Sequence, residues 1–329
     1  MNTVIGIDVS KATLDVMWLR DPETRKVKSK KLANTPDGHQ ALLDWAMKNT
    51  GQAAEAIRFV MEATGVYHER LACALYEAGA EVVVANPAHV RSYAQSFGVR
   101  TKHDRKDAMI LARFGATQGP HRRWQPEAPE VYRLKTLLNR LDTVQEDLQR
   151  EQNRLEKAKA SREAPLVQAS LERVIEHLEQ EATELNRQID DDIQQNPKFK
   201  QDRKLLESIP GIAEVLSRYL LVLFHSRQFL KASQMAAYLG LNPVGETSGT
   251  SVNKPPRLSK VGPARWRAKL YMPAIVATQY NPDAKALYER LVNAGKAKKA
   301  ALGAVMRKLV HIAFGVLTHQ QAFVAQSAA

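Results

Sequence analysis

Thr3-Val4-Ile5-Gly6-Ile7-Asp8-Val9 is a run of apolar and β-branched residues carrying one charge near its end, and it reads as a strand. Working outward, residues 14–19 form a second such run and residues 26–32 alternate weakly, with Asp21-Pro22 supplying turn chemistry between them. Leu42, Leu43, Trp45 and Ala46 give residues 36–48 a helical apolar face. Residues 57–61 are a further buried-type strand, 67–78 a helix, 81–85 another strand, and Pro87 opens a helix over 87–97. Three strands, a helix and then strand–helix alternation predict a mixed α/β sheet in the first 120 residues.

The chain changes character at Trp124-Gln125-Pro126. Leu134, Leu141, Leu148 and Leu155 recur every seven residues, and after a break at 160–165 the spacing resumes at Leu171, Leu178 and Leu185. Heptad leucines in dense charge predict two long helices forming a coiled-coil arm over residues 121–200. Gln145, Gln152 and Glu181 interrupt the seam, and the pattern does not say whether the arm pairs within the chain or between chains. Residues 201–329 read as helical and basic. Residues 243–256 have no apolar periodicity, and Leu302, Val305, Leu309, Ile312 and Val316 form the stripe of a closing amphipathic helix.

Composition narrows the function classes. Of 329 residues, 48 are Lys or Arg against 35 Asp or Glu, a net charge of +13. Hydrophobic and charged fractions of 44% and 25% exclude a disordered or collagen-like chain. Cys73 is the one cysteine, so there is neither a disulfide framework nor a thiolate zinc site. No basic region precedes an apolar core at the start, and no uninterrupted apolar run approaches the roughly 18 residues of a membrane helix, so a cytoplasmic protein with no membrane contact is expected. The positive charge concentrates in residues 201–329, with 18 basic residues against 6 acidic ones. Trp266, Tyr271, Tyr280 and Tyr288 are interleaved with the bases there. That density points to a nucleic-acid partner.

Four acids stand where phosphoryl-transfer chemistry would need them. Asp8 ends one apolar strand, Glu62 ends another, and Asp104 and Asp107 are three apart at the head of a helix predicted to run to Gln118. Carboxylates at these places can hold one or two Mg²⁺ ions against a scissile phosphate. Each acid alone has a duller reading, as a helix cap or a solvated edge; the set of four favours a metal site. There is no P-loop, no GxGxxG after a strand and no HExxH. Ile209-Pro210-Gly211-Ile212 reads equally as a phosphate-binding hairpin and as a plain helix turn. Glu246-Thr247-Ser248-Gly249-Thr250-Ser251 is a hydroxyl-rich segment that could carry a nucleophile, though composition alone reads it as a flexible linker.

Together these residues resemble the DEDD-type insertion-sequence transposases, bridge-RNA-guided recombinases related to the Piv-type invertases. The resemblance rests on Gly6-Ile7-Asp8-Val9-Ser10-Lys11, Glu62-Ala63-Thr64-Gly65-Val66-Tyr67, Asn86-Pro87, Lys102-His103-Asp104-Arg105-Lys106-Asp107-Ala108, Leu206-Glu207-Ser208-Ile209-Pro210-Gly211-Ile212, Thr247-Ser248-Gly249 and Leu270-Tyr271-Met272-Pro273-Ala274, in that order. It implies a RuvC-like α/β domain of RNase H fold over residues 1–120, the α-helical coiled-coil arm, and a mostly α-helical transposase domain over 201–329. It implies Asp8, Glu62, Asp104 and Asp107 as ligands of Mg²⁺ or Mn²⁺, and Ser248 as a nucleophile that becomes joined to a DNA 5′ phosphate. His103 and Thr247 depart from the pattern, and the second leaves Thr250 and Ser251 as competing nucleophiles. Implied partners are donor and target DNA, an element-encoded guide RNA and further copies of the chain in a homo-oligomer. The alternatives are a metal-dependent junction-resolving nuclease that uses water, and a non-catalytic nucleic-acid scaffold.

Overall fold

The structure is a computed structural model that describes residues 3–21, 26–63, 65–96, 104–117, 122–161, 163–248 and 252–326. The side chains at 21, 104–106, 246–248 and 252–256 fall outside that description. The chain divides into two compact units, residues 1–126 and 127–329.

The first unit is built on strands β1 (Thr3–Val9), β2 (Thr13–Asp21), β3 (Lys26–Ala33), β4 (Ile57–Glu62) and β5 (Glu81–Ala85), with helices α1 (Pro36–Thr50), α2 (Glu69–Glu77), α3 (Pro87–Ser96) and α4 (Asp104–Thr117). The sheet order is β3-β2-β1-β4-β5. The first three strands are antiparallel neighbours, whereas β1, β4 and β5 run parallel. This mixed sheet has the strand order and directions of an RNase H-like domain. The central strands bury side chains on both faces, which is why they read as near-continuous apolar runs. On one face Ile5, Ile7, Phe59 and Met61 pack with Leu42 and Leu43 of α1 and Leu71 and Leu75 of α2. On the other, Val4, Val60, Val83 and Ala85 meet Val90 of α3 and Ile110, Leu111 and Phe114 of α4. Strand β3, by contrast, is exposed along nearly its whole length, in keeping with its lysine-rich edge position.

The second unit opens with two long helices, α5 (Pro129–Ala160) and α6 (Pro165–Gln195), packed on each other within the chain. Pro129 and Pro165 occupy their first turns, where a missing N–H costs nothing. Helices α7 (Pro197–Glu207), α8 (Glu214–Ser226), α9 (Ala232–Tyr238), α10 (Ala264–Tyr280), α11 (Pro282–Asn293) and α12 (Lys298–His319), with the ribbon of β6 (Pro243–Ser248) and β7 (Val252–Leu258), complete it. Asn196 caps α7 by accepting from the Lys198 and Phe199 N–H groups, so that helix starts a few residues before Gln201. Val131, Leu134, Leu138, Leu141 and Val144 of α5 and Leu185, Ile189 and Ile193 of α6 belong to the same core as α8 and α12. The heptad stripe therefore has two environments. Its root is part of the core, with Leu178 packed against it, whereas Leu148, Leu155 and Leu171 nearer the far end are only half-buried.

Two polar joints fix that root. Arg218, nearly fully buried, donates to Asp190 at 3.1 and 2.5 Å, to Asn186 at 2.7 Å and also to Glu214. Tyr219 and Lys269 both donate to Asp142 of α5, at 2.5 and 2.7 Å. Burial and that carboxylate push the Tyr219 hydroxyl pKa well up, so it stays a protonated donor. Helix α12 is long and apolar enough by composition to cross a membrane. Its apolar residues Val305, Leu309, Val310 and Ala313 nevertheless lie in the core, and the helix packs on α7, α9, α10 and α11.

Candidate active site

Asp8 lies on the same side of β1 as Val4 and Gly6, the side that α4 covers. Parallel pairing carries Ile7 opposite Met61, so one residue further Asp8 and Glu62 stand on neighbouring strands at their carboxyl ends. Glu62 shares the face of Val60, the residue two before it in β4, which packs under α4. Both carboxylates are half-buried. Across the hairpin Asp8 faces Asp15, and Lys31 meets Asp15 at 3.3 Å. Carboxylates so crowded raise the local negative potential and favour a cation at this corner.

Gly6 determines where α4 sits. A Cβ there would stand 2.1 Å from the Ala108 carbonyl oxygen and 2.4 Å from the Ala112 nitrogen. Further along the helix, a Cβ on Gly115 would meet Val60 at 2.4 Å and Val4 at 3.0 Å. Helix α4 therefore lies directly on β1 and β4, running back along them. Its last turn is held by Arg58 of β4, which donates to the Gly115 carbonyl at 3.1 Å and pairs with Glu81 at 3.0 Å. Because α4 runs opposite to β1, its first turn lies toward the strand end that bears Asp8. Asp107, on that first turn, is thereby placed toward the strand ends that bear Asp8 and Glu62, although the three described carboxylates do not close into a metal-holding group. Asp104 opens the same helix, and its side chain lies outside the described residues. Among the described residues no three His, Cys, Asp or Glu side chains form a ready metal-holding group.

Gly6 and Arg58 were not among the residues the sequence marked for function. Gly6 carried a readable signal, since a glycine inside a buried strand marks close approach of another backbone. Arg58 looked like an ordinary strand residue.

In the second unit Ser248 is the last residue of β6, paired with Val252 of β7 across the hairpin tip. Residues 246–248 of the segment read as a linker therefore belong to a two-stranded ribbon, with Glu246 opposite Lys254, Thr247 opposite Asn253 and an irregularity between Val244 and Glu246. Pro255 and Pro256 are tolerated in β7 because an edge strand leaves N–H positions unneeded. The side chain of Ser248 lies outside the described residues, as do Thr250 and Ser251 altogether. The turn at 209–212 is a packing joint. Ile209 and Ile212 are buried, Asn281 donates to the Pro210 carbonyl at 3.3 Å, and a Cβ on Gly211 (φ 102°) would strike Ala277 at 2.8 Å.

The basic region also sorts itself. Trp266 is a core residue set edge-on to Tyr219, not a surface aromatic, whereas Tyr271 and Tyr280 are exposed. Lys269 is committed to Asp142 and Arg307 to Asn242. Lys260, Lys285, Lys296, Lys298 and Lys299 remain on the surface.

The sequence profile of the IS110 DEDD transposases, described as "Transposase", matches residues 5–158, and that of the "Transposase IS116/IS110/IS902 family" matches residues 203–289. The pilin gene-inverting proteins of Moraxella lacunata and Moraxella bovis are each 31% identical over 324 residues, 98% of this chain and 97% of theirs. The chain belongs to the IS110-type transposase family. It is accordingly an enzyme of the DNA recombinase and transposase class. The RuvC of Thermus thermophilus bound to a Holliday junction aligns with 37% of this chain and 99% of its own, at 14% identity and a TM-score of 0.27. The first profile spans Asp8, Glu62, Asp104 and Asp107, and the second spans Ser248.

Proposed function

We propose that this transposase cuts and rejoins DNA strands during insertion-sequence mobility through a phosphoserine intermediate at Ser248, acting in the cytoplasm on donor and target DNA. The observation that carries the reading is the corner where β1, β4 and α4 bring Asp8, Glu62 and Asp107 to one end of one face of the sheet, with Asp104 at the head of the same helix. An all-carboxylate donor set suits a hard cation such as Mg²⁺ or Mn²⁺. Bound there, the cation supplies charge neutralisation and polarisation at the scissile phosphate.

The residues of the chain do the rest. Ser248 Oγ attacks phosphorus and gives up its proton; the Oγ–P bond forms as the P–O3′ bond breaks, and the leaving oxygen takes a proton to become a 3′-OH. The 3′-OH of the exchanged strand then attacks the phosphoserine, and the serine hydroxyl is restored. Bond energy is kept in the ester, so no nucleotide triphosphate is needed. The family resemblance adds a guide RNA that selects the sites, and the exposed lysines of α11 and α12 offer it and the DNA a positive surface. Exchange between two duplexes requires several active sites, and the half-buried outer leucines of α5 and α6 offer an apolar seam for a homo-oligomer.

Trapping a suicide DNA substrate and mapping the adduct by mass spectrometry tests the proposal. The expected adduct is on Ser248. An adduct on Thr250 or Ser251 moves the nucleophile. Metal-dependent cleavage by Ser248→Ala with no adduct anywhere replaces the reading with a nuclease that uses water.

A further inference from the structure

Two loops leave the acid-bearing strands, and one side chain ties them together. The amide of Asn34, just after β3, donates both its hydrogens, to the Ser10 carbonyl at 2.9 Å and to the Tyr67 carbonyl at 3.1 Å. Ser10 begins the turn after β1 and Asp8; Tyr67 lies in the turn after β4 and Glu62. The Asn34 backbone N–H adds a bond to the Ala12 carbonyl at 2.9 Å. With both amide hydrogens used, the Asn34 carbonyl oxygen is left to accept, and His39 of α1 meets it through Nε2 at 2.8 Å. His39 is buried, and burial with the nearby Arg70 lowers its pKa, which fits a neutral ring with its proton on Nε2. The turn at Ser10 is further closed by its hydroxyl, which accepts from the Thr13 N–H at 2.9 Å.

This framework holds up residues with no part in the fold's interior. Lys11 is exposed at the tip of the first turn, and in the second Val66 and Tyr67 are 66% and 44% exposed. His68, the next residue, is buried and anchors that turn. A cation and an exposed aromatic ring on two mutually tethered loops, at the strand ends that carry the acids, match the chemistry of a nucleotide: an anionic backbone beside a base with a π-face.

We propose that Lys11 and Tyr67 form a rim that grips the cut DNA strand next to the scissile phosphate, Tyr67 stacking on an unpaired flanking base and Asn34 setting the rim as a positioning residue. This rests on the reading of the Asp8–Glu62 corner as the cleavage site. A tyrosine can stack only on a base whose face is free, so the rim selects DNA opened at the exchange point over intact duplex.

The test uses the full-length chain, the RNA transcribed from the element's flank and a duplex spanning the element's end, with 2-aminopurine placed in turn at the nucleotides flanking the cleaved phosphate. Wild-type protein and Tyr67→Phe are expected to quench 2-aminopurine at one flanking position, and Tyr67→Ala is expected not to. Single-turnover cleavage should fall about 10- to 100-fold in Tyr67→Ala, the range set by one base–aromatic stack, with duplex affinity within about twofold. Asn34→Asp keeps an acceptor for His39 and loses both donors, so it should slow cleavage without weakening duplex binding. Should that variant fail to fold, the two Tyr67 variants carry the test. Quenching and cleavage by Tyr67→Ala equal to wild type would overturn the rim. Asp8→Asn in the same assay separates the two readings: inactive Asp8→Asn beside fully active Tyr67→Ala removes the rim alone, and fully active Asp8→Asn removes the acid site itself.

Discussion

Replacing Gly6 with alanine should disable the enzyme through a single methyl group. The new Cβ would stand 2.1 Å from the Ala108 carbonyl oxygen, where ordinary contact begins near 3.4 Å. The neighbour is helix backbone, not the end of a flexible side chain, so α4 must retreat by about 1.3 Å or tilt away from β1. Overpacking of this kind costs about 1–3 kcal/mol, measurable in urea melts against wild type. The shift also carries Asp107, one residue before Ala108, away from Asp8. Misplacement of a catalytic group by about 1 Å can cost on the order of a hundredfold in rate. Gly6→Ala should therefore keep a cooperative melt yet lose about two orders of magnitude in strand cleavage. Gly51→Ala is the control. Its φ of 69° strains alanine by about 1–2 kcal/mol, but nothing lies within 4 Å of the added atom, so cleavage should persist. A Gly6→Ala protein with unchanged stability and full activity would refute the placement of α4 on β1.

Asp8→Asn, Glu62→Gln, Asp104→Asn and Asp107→Asn should each lower cleavage by about three orders of magnitude, and chelation of divalent cations should do the same to wild type, while filter binding of nucleic acid stays near wild type. Ser248→Ala, at the tip of a ribbon, should change stability by less than about 0.5 kcal/mol in a urea melt and yield no covalent adduct. Charge reversal at Lys296, Lys298 and Lys299 should weaken nucleic-acid binding and flatten its salt dependence. For assembly, Leu148→Asp with Leu155→Asp is the informative pair, because Leu141 is buried at the root and its substitution would unfold the unit; light scattering should report smaller particles. Burial lowers the pKa of His39, His68 and His311, with Arg70 adding to the first and Arg307 and Lys308 to the last. The unfolded chain then binds protons that the folded one resists, so stability should fall as pH drops below about 6.5. Melts between pH 5 and 8 check the sign.

Much of this protein follows from short-range pattern. The runs at 3–9 and 81–85 are strands with those bounds, and the helices at 36, 87 and 104 begin where the sequence reading began them. The leucine heptads lie within α5 and α6. Alternation, heptads and first-turn prolines are periodic or local, and they survive in one dimension because each records which side of an element is buried. The acids at strand and helix ends were legible for the same reason: a charge terminating an apolar run is conspicuous. Tertiary structure alone decided which ends meet. That α4 runs back along β1 depends on Gly6, Gly115 and Arg58 acting across some 60 to 110 residues, and no window of sequence contains that geometry. The ribbon at 243–258 left no trace because its sequence carries no apolar alternation. The root of the arm joins the core of the second unit because buried leucines do not specify their partner. Asn34, which ties the loops of both acid strands, has no local pattern that marks it; only the folded chain brings Ser10 and Tyr67 within reach of one amide.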